Sequence, residues 1–253
     1  MNDPAAALES LIEPAVAALH SARHVCVITG AGVSAESGVP TFRDALTGHW
    51  SKFNPEDLAT PEAFERNPRF VWDWYESRRE MIRRVEPNPG HYALAQLARR
   101  VPRLTLVTQN VDGLHQRAGS RGVLEYHGNI LRDRCTVERV AASRSDASND
   151  GLPKCAACGG LLRPDVVWFG EVIPAGPMLA AAEAAADCDV FLSIGTSSLV
   201  YPAAGLAECA LDSGATVIEI NPNPTDLSAA ASIALGGASG VMLPRLLAAL
   251  PPR

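Results

Sequence analysis

Polar side chains that could bind a ligand follow six apolar runs of this 253-residue chain. The runs with their polar ends read HVCVITGAG, RLTLVTQNVDG, GVLEYHGN, RPDVVWFGE, DVFLSIGTSS and ATVIEINPNP. Each apolar part has the composition of a buried strand. Because ligands of open parallel α/β sheets bind beyond the carboxyl ends of the strands, the pattern predicts one crevice lined by several strand ends.

Alanine-rich segments between these runs predict the helices that hold the strands in place. They read GHYALAQLARR, GPMLAAAEAAADC and YPAAGLAECALDSG, the last ended by Gly214, and the N-terminal segment predicts a further amphipathic helix. We therefore expect an α/β fold with a Rossmann-like open parallel sheet. Residues 1–44, 91–131 and 164–253 would form this domain, while residues 45–90 and 132–163 would form a smaller lobe with a helical and a cysteine-containing module.

Composition limits the classes of partner. A net charge of −6 argues against nucleic acid, since binding to phosphates depends on excess Lys and Arg. The N-terminal segment lacks a signal-peptide pattern, and no apolar run reaches the length of a membrane span, so a soluble cytoplasmic protein is expected. Six cysteines fit a reducing compartment, with Cys26, Cys188 and Cys209 as core residues. The oligomeric state is not predicted.

The segment GAGVSA, residues 30–35, matches the G-x-G-x-x-G/A fingerprint of dinucleotide-binding loops. Backbone amides in such a loop can approach a pyrophosphate, although a tight strand-to-helix turn requires glycine even without phosphate. A dehydrogenase would place a second strand ending in an acid about 20 residues later. Because the sequence there reads GHWSKFNPEDL, a standard NAD dehydrogenase is disfavoured.

The segment VWDWYESRRE, residues 71–80, places Tyr75 and Arg78 three positions apart. On a helix these two side chains share a face. Such a face could bind an anion that has an apolar stem. Alternatively, it is a solvated face on a helix whose Trp72 and Trp74 pack in the core.

The motifs GAGVSAESGVPTFRD, TQNVDGLH, YHGN, VVWFGE, GTSSLVYPA and EINPNP, in this order, resemble those of the sirtuins, NAD-dependent protein lysine deacylases. The resemblance covers roughly residues 20 to 250. It implies that acyl-lysine proteins or peptides are the substrates and that NAD is consumed. The acyl oxygen attacks the ribose C1′ as nicotinamide leaves, and lysine and O-acyl-ADP-ribose are released.

The resemblance also implies which residues contact NAD. They are Gly30, Ala31, Gly32, Ser34, Glu36, Phe42, Arg43, Gln109, Asn110, Asp112, Gly195, Thr196, Ser197, Asn221 and Ala238. Phe42 would shield the reactive ribose from water, and Arg43 would meet phosphate or ribose oxygens. Asn110 and Asp112 have an alternative role as caps of a helix beginning near Gly113. At the adenine-side loop, Ser239 is an alternative to Ala238.

For catalysis the resemblance points to His127 as the general base toward the ribose hydroxyls, with Asn110 beside it. A lone histidine at a strand end is otherwise often structural, but imidazole titrates near neutrality and can accept a hydroxyl proton. Val167, Trp168, Phe169 and Gly170 resemble the edge to which the substrate peptide adds as a strand. A plain buried strand would explain the valines, but less readily the turn that follows them.

One sirtuin branch removes succinyl, malonyl and glutaryl groups and recognises their carboxylate through a Y-x-x-R pair. Tyr75 and Arg78 match this pair, and Ala59 matches the small residue that leaves room for a longer acyl chain. The resemblance thus implies preference for acidic acyl groups and weaker removal of acetyl. A general deacetylase, a protein ADP-ribosyltransferase and a non-catalytic NAD-sensing module remain alternatives. The intact HG and QNVD motifs argue against the last of these.

Sirtuins usually hold a structural zinc with two C-x-x-C pairs. Here Cys155 and Cys158 form one pair, but Cys135 is followed by Glu138 where the fourth cysteine would stand. Zinc bound by Cys135, Cys155 and Cys158, with or without the Glu138 carboxylate, is one expectation. Loss of the metal, with the lobe held by packing alone, is the other.

Overall fold

The computed structural model describes residues 4–40, 58–145 and 151–252. In chain order the strands are β1 His24–Thr29, β2 Arg103–Thr108, β3 Leu124–Glu125, β4 Gly128–Cys135, β5 Leu162–Val166, β6 Val190–Ile194, β7 Thr216–Asn221 and β8 Ile233–Gly236. The helices are α1 Pro4–Ser21, α2 Gly32–Ala35, α3 Pro61–Arg66, α4 Pro68–Arg84, α5 Pro89–Leu97, α6 Leu114–Arg117, α7 Ala175–Asp187, α8 Gly205–Asp212 and α9 Ser239–Ala249.

Six strands form a parallel sheet in the order β3-β2-β1-β6-β7-β8. All six residues of β1 are buried, because this strand lies at the centre of the sheet and both its faces are covered. The chain order reverses at β1, so β1, β2 and β6 end side by side at the switch point where such sheets bind ligands. The predicted α/β fold with its Rossmann-like sheet is confirmed.

Helices cover both faces of the sheet. One apolar core joins α1, α5 and α9 to the strands through residues such as Leu19, Leu94 and Leu243. The other joins α7 and α8 to the opposite face through small residues such as Ala184 and Ala210. Alanine-rich helices can pack close to a sheet, so the strand ends stay in fixed positions relative to one another.

Two predictions about strands were wrong or incomplete. The run RPDVV is not part of the parallel sheet, because β5 pairs antiparallel with β4 in a separate hairpin. The sequence reasoning also did not assign β4, β8 or α9. Strand β8 has only four residues and alternates buried with exposed positions, so it gives a weak signal at the sheet edge.

A further apolar cluster joins α3 and α4 to the β4–β5 hairpin and contains Phe64, Trp72, Trp74, Ile130 and Trp168. Thr60 caps α3 by accepting from the Ala63 amide, and Asn67 caps α4 by accepting from the Phe70 amide.

No helix among the described residues combines the length and the apolar character that crossing a membrane would require.

Arg79 fixes α4 to strand β4. Its guanidinium donates to the Ile130 and Arg132 carbonyls and to the Asp133 carboxylate, and it forms an ion pair with Glu76 within α4. Only 1% of Arg79 is exposed. The side chain is therefore a structural anchor, since nearly all of its donors bind protein groups.

Candidate functional site

The glycine loop after β1 packs directly against the end of β6. The Gly30 amide donates to the Ile194 carbonyl at 3.0 Å, and the Gly32 amide donates to the Gly195 carbonyl at 2.8 Å. A Cβ on Gly30 or Gly32 would come within 2.8 Å of Gly195 or Thr196 atoms. These glycines are thus required for the close approach of two loops. A contact between this loop and a pyrophosphate stays a prediction.

Polar side chains from neighbouring strand ends meet in one network. The Ser34 hydroxyl donates to Asp112 Oδ2 at 2.7 Å and accepts from the Asn110 side-chain amide at 3.0 Å. Asp112 Oδ1 accepts from the Leu114 amide at 2.9 Å, so Asp112 also caps the short helix α6. Burial raises the pKa of Asp112, against the lowering effect of these hydrogen bonds. The capping role and membership of the network are therefore compatible.

Two buried histidines lie beneath this network, and the sequence reasoning missed both. His91 Nε2 lies 3.4 Å from Ser34 Oγ, and His115 Nε2 lies 2.9 Å from Thr29 Oγ1. Burial lowers the pKa of His91 to about 4 and that of His115 to about 3. Both rings are therefore neutral at pH 7. The adjacency of His115 to the QNVDG motif is the one sequence signal that would have found either of them.

The crevice continues from β2 across β6 to β7. Gln109 Nε2 donates to Thr196 Oγ1 at 3.0 Å, and Asn221 Nδ2 donates to the Thr196 carbonyl at 2.9 Å. Ser197 follows Thr196 and is exposed, while Ala31 is half-buried beside the glycine loop. The predicted residues of four segments are thus brought together along one edge of the sheet.

The residues predicted for the adenine side, Ala238 and Ser239, lie at the beginning of α9. The Glu36 carboxylate accepts from the Gly240 amide at 2.6 Å and lies 3.4 Å from the Ser239 hydroxyl. An acidic group is favourable at the beginning of a helix because it interacts with the helix dipole. Ala238 is the residue before α9, whereas Ser239 is buried within its first turn. Phe42 and Arg43 lie outside the described residues.

His127 lies at the end of β3, facing the end of β2. Its Nδ1 lies 3.1 Å from the Gln109 carbonyl oxygen. A carbonyl can only accept, so Nδ1 carries the hydrogen and Nε2 keeps its lone pair. Burial lowers the pKa of His127, and the bond to Gln109 opposes this only in part. The ring is therefore neutral at pH 7, with Nε2 able to accept a proton.

The turn after β5 connects His127 to the helical cluster. The Val167 amide donates to the His127 carbonyl at 2.9 Å, and the Phe169 amide donates to the Ala59 carbonyl at 2.9 Å. Between them, the Trp168 indole N–H donates to the Tyr75 hydroxyl at 2.8 Å. Gly170 has φ +83°, which favours glycine at this turn. The residues predicted for peptide and acyl binding are thus linked to His127 by consecutive residues of one segment.

Tyr75 and Arg78 lie on one face of α4, as predicted, but this face is not solvated. Tyr75 is 4% exposed and Arg78 is 8% exposed. The Arg78 Cζ lies 5.4 Å from the centre of the Trp74 ring. Burial is the main cause that lowers the pKa of Arg78. The solvated-face alternative is therefore wrong for Tyr75 and Arg78, although Trp72 and Trp74 pack in the core as it required.

The three sulfurs of Cys135, Cys155 and Cys158 lie within 4.8 Å of one another. The Cys135 and Cys158 sulfurs are 3.4 Å apart. Tetrahedral zinc with Zn–S bonds of about 2.3 Å places its sulfurs about 3.8 Å apart, so the arrangement fits a zinc ion. The Glu138 amide donates to Cys135 Sγ at 3.4 Å, but among the described residues the Glu138 carboxylate is not in the group. A zinc ion here would join β4 to the loop before β5.

Purified protein is expected to contain zinc at up to one ion per chain, bound by the three cysteines. The Cys158→Ala variant is expected to lose most of it, because two thiolates hold zinc poorly. Cys209→Ala, which changes a half-buried cysteine on α8, serves as the control and should retain the metal. Metal analysis by mass spectrometry measures both. Wild-type protein without zinc that stays folded and active after chelation would exclude a metal site.

The chain resembles known proteins over nearly its whole length. The family model for the Sir2 family matches residues 30–202. A protein of Ralstonia nicotianae named NAD-dependent protein deacylase is 54% identical over 230 residues, covering 91% of this chain and 93% of that protein. A Pseudomonas aeruginosa protein named NAD-dependent protein deacylase 1 is 48% identical, with coverages of 90% and 95%.

Solved structures give the same result. A crystal structure of a Sir2 homologue in complex with NAD aligns with a TM-score of 0.88 at 41% identity, covering 94% of this chain and 93% of the other. A structure of Sir2 bound to an acetylated peptide aligns with a TM-score of 0.83 at 26% identity, with coverages of 94% and 97%. The chain therefore belongs to the Sir2 family, the sirtuins.

Proposed function

We propose that this NAD-dependent protein deacylase of the Sir2 family removes acidic short-chain acyl groups, succinyl, malonyl and glutaryl, from lysine side chains, and acts more weakly on acetyl-lysine. The proposal rests on the buried face of α4 that carries Tyr75 and Arg78. The Tyr75 hydroxyl accepts from the Trp168 indole, and Trp168 belongs to the same turn that contacts His127. A buried guanidinium beside a phenol suits a carboxylate at the end of a short apolar chain.

Arg78 differs from its neighbour Arg79 in what surrounds it. Arg79 binds backbone carbonyls and two carboxylates, whereas Arg78 lies beside the aromatic side chains of Tyr75 and Trp74. The positive charge of Arg78 favours the phenolate form of Tyr75 and so acts to lower its pKa. Burial of Tyr75 has the larger effect, and the pKa is raised as a result. The planar guanidinium of Arg78 matches the two oxygens of a succinate-type carboxylate in a bidentate geometry.

The position of Ala59 supports the length of the acyl group. Its carbonyl accepts from the Phe169 amide, so Ala59 lies directly beside the turn that carries Trp168. Ala59 is 4% exposed, and a methyl group is the smallest side chain that still fills a buried site. A larger residue here would occupy space next to Trp168, which is where a four-carbon acyl chain would lie.

The chemistry at the other end of the acyl group follows from His127. NAD supplies the electrophilic ribose carbon that takes up the acyl oxygen when nicotinamide leaves. We assign His127 Nε2 as the acceptor of the proton from a ribose hydroxyl, since Nδ1 donates to the Gln109 carbonyl and fixes the ring. Asn110, which is held by Ser34, is oriented toward the same crevice by the Ser34–Asp112 bond.

Product analysis tests the proposal. Peptides that differ only in carrying succinyl-, malonyl-, glutaryl- or acetyl-lysine are incubated with enzyme and NAD, and the products are identified by mass spectrometry. Free nicotinamide and O-acyl-ADP-ribose are expected, with kcat/KM at least about 10-fold higher for the succinyl than for the acetyl peptide. Equal values for the two peptides would reject the acidic-acyl preference. ADP-ribose attached to protein would favour a protein ADP-ribosyltransferase. Absence of released nicotinamide would favour a non-catalytic NAD-binding module.

A further inference from the structure

Trp168 is fixed by contacts on several sides. The Arg163 Cζ lies 3.6 Å from the centre of its ring, and the Phe64 ring centroid lies 5.4 Å away. Its indole N–H donates to the Tyr75 hydroxyl at 2.8 Å, and only 3% of the residue is exposed. These contacts restrain both the plane of the indole and the direction in which its N–H points.

Arg163 is itself fixed by Glu171. Its two terminal nitrogens donate to the two Glu171 oxygens at 2.7 Å each, and Nη2 also donates to the Val166 carbonyl at 2.8 Å. Glu171 Oε2 further accepts from the Trp168 amide at 2.9 Å. A bidentate pair of this kind neutralises the guanidinium and orients its plane. Arg163 is thus occupied by Glu171 and supports the indole from one side.

We propose that Trp168 is a positioning residue for acyl selectivity, and that the Arg163–Glu171 pair holds it in place. This inference rests on the proposed acidic-acyl function. An indole N–H can only donate, so it occupies a lone pair of the Tyr75 hydroxyl oxygen. The phenol hydrogen, which prefers the plane of its ring, is then directed to the other side of that oxygen. Tyr75 is thereby oriented as a donor, and a carboxylate accepts only.

This orientation of the Tyr75 hydroxyl should favour acidic over neutral acyl groups. A succinyl or malonyl carboxylate should bind more tightly to a phenol whose hydrogen already points away from the indole. The reason is that the hydroxyl then loses less rotational freedom on binding. An acetyl group ends in a methyl group and makes no such bond. Trp168 and its supporting pair should therefore change the selectivity between these substrates and leave NAD binding unchanged.

The Trp168→Phe variant tests this directly, because phenylalanine keeps an aromatic ring against Arg163 and Phe64 but lacks the N–H. We expect the succinyl-to-acetyl ratio of kcat/KM to fall about 3- to 10-fold, mainly through the KM of the succinyl peptide. Trp72→Phe is the matched control, since Trp72 also packs against an arginine, Arg79, with Cζ at 5.0 Å. The selectivity of this control should equal that of wild type.

A second variant tests the supporting pair. Glu171→Gln removes the charge that orients Arg163, and it is expected to lower the succinyl-to-acetyl ratio in the same direction. If Glu171 acts through Trp168, the double variant should show the ratio of Trp168→Phe alone, whereas independent effects would multiply. Both substrates are assayed on the same preparation, so the ratio does not depend on the fraction of folded protein.

The outcomes separate this inference from the function on which it rests. A wild-type enzyme without preference for succinyl over acetyl would overturn the acidic-acyl proposal, and this inference with it. A wild-type preference that Trp168→Phe leaves unchanged would overturn the role of Trp168 alone. Equal losses for both peptides, with an unaltered ratio, would show a merely structural residue and would also overturn it.

Discussion

The His127→Ala variant is expected to remove acyl groups at least about 100-fold more slowly than wild type, while its fold and NAD binding are kept. A positioned acid–base group contributes about 100- to 10,000-fold to the rate, and alanine leaves nothing to accept the ribose proton. The side chain is half-buried and its Nδ1 donates to the Gln109 carbonyl, so its loss should have little effect on stability. Single-turnover acyl release and calorimetric NAD titration measure the two effects separately.

The pH dependence of wild type gives an independent check. Burial holds the pKa of His127 below its usual value of 6.5. The base must be neutral, so activity should persist as pH falls to 6.5 and should decline only when pH passes through this lowered pKa. His20→Ala, which changes an exposed histidine at the end of α1, should behave as wild type. Near-normal turnover by His127→Ala would exclude the proposed role.

The sequence was sufficient to predict the parallel sheet because its inner strands are apolar on both faces. Strands β1, β6 and most of β7 are buried along their length, and their sequences are accordingly rich in Val, Ile, Leu and Phe. The run RPDVVWFGE misled because its apolar part, VVWF, is followed by polar residues as in the true sheet strands, although β5 belongs to an antiparallel hairpin. Composition reports the burial of a strand, but its pairing partner is decided by contacts distant in sequence.

The site was predictable where its residues follow strands, and less so elsewhere. Gln109, Asn110 and His127 follow strand-like runs, whereas His91 and His115 lie in helices and reach the network only through tertiary packing. Nor could the sequence distinguish Arg78 from Arg79. Both are buried on α4, and only the ion pairs of Arg79 with Glu76 and Asp133 identify it as the structural one.

That distinction makes Arg78 the residue whose replacement should most change substrate choice. Arg78→Met keeps the length and apolar stem of the side chain and removes its charge and donors. Methionine is unbranched and apolar and can fill the buried space of the arginine stem, so the variant should fold. Arg84→Met, on the same helix and 80% exposed at its side chain, is the matched control.

The expected result is a loss of the acidic-acyl activity alone. Charged hydrogen bonds to a carboxylate contribute roughly 1.5–3 kcal/mol, which corresponds to a fall of about 10- to 150-fold in kcat/KM for succinyl peptides. The kcat/KM for acetyl peptides should change less than about threefold.

Arg78→Lys should give an intermediate kcat/KM for succinyl peptides, because it keeps the charge without the bidentate geometry. Tyr75→Phe should lose less than Arg78→Met, since it removes one neutral donor. If Arg78→Met lowers both activities equally, or leaves the succinyl rate unchanged, then α4 is only a scaffold and the acyl carboxylate is bound elsewhere.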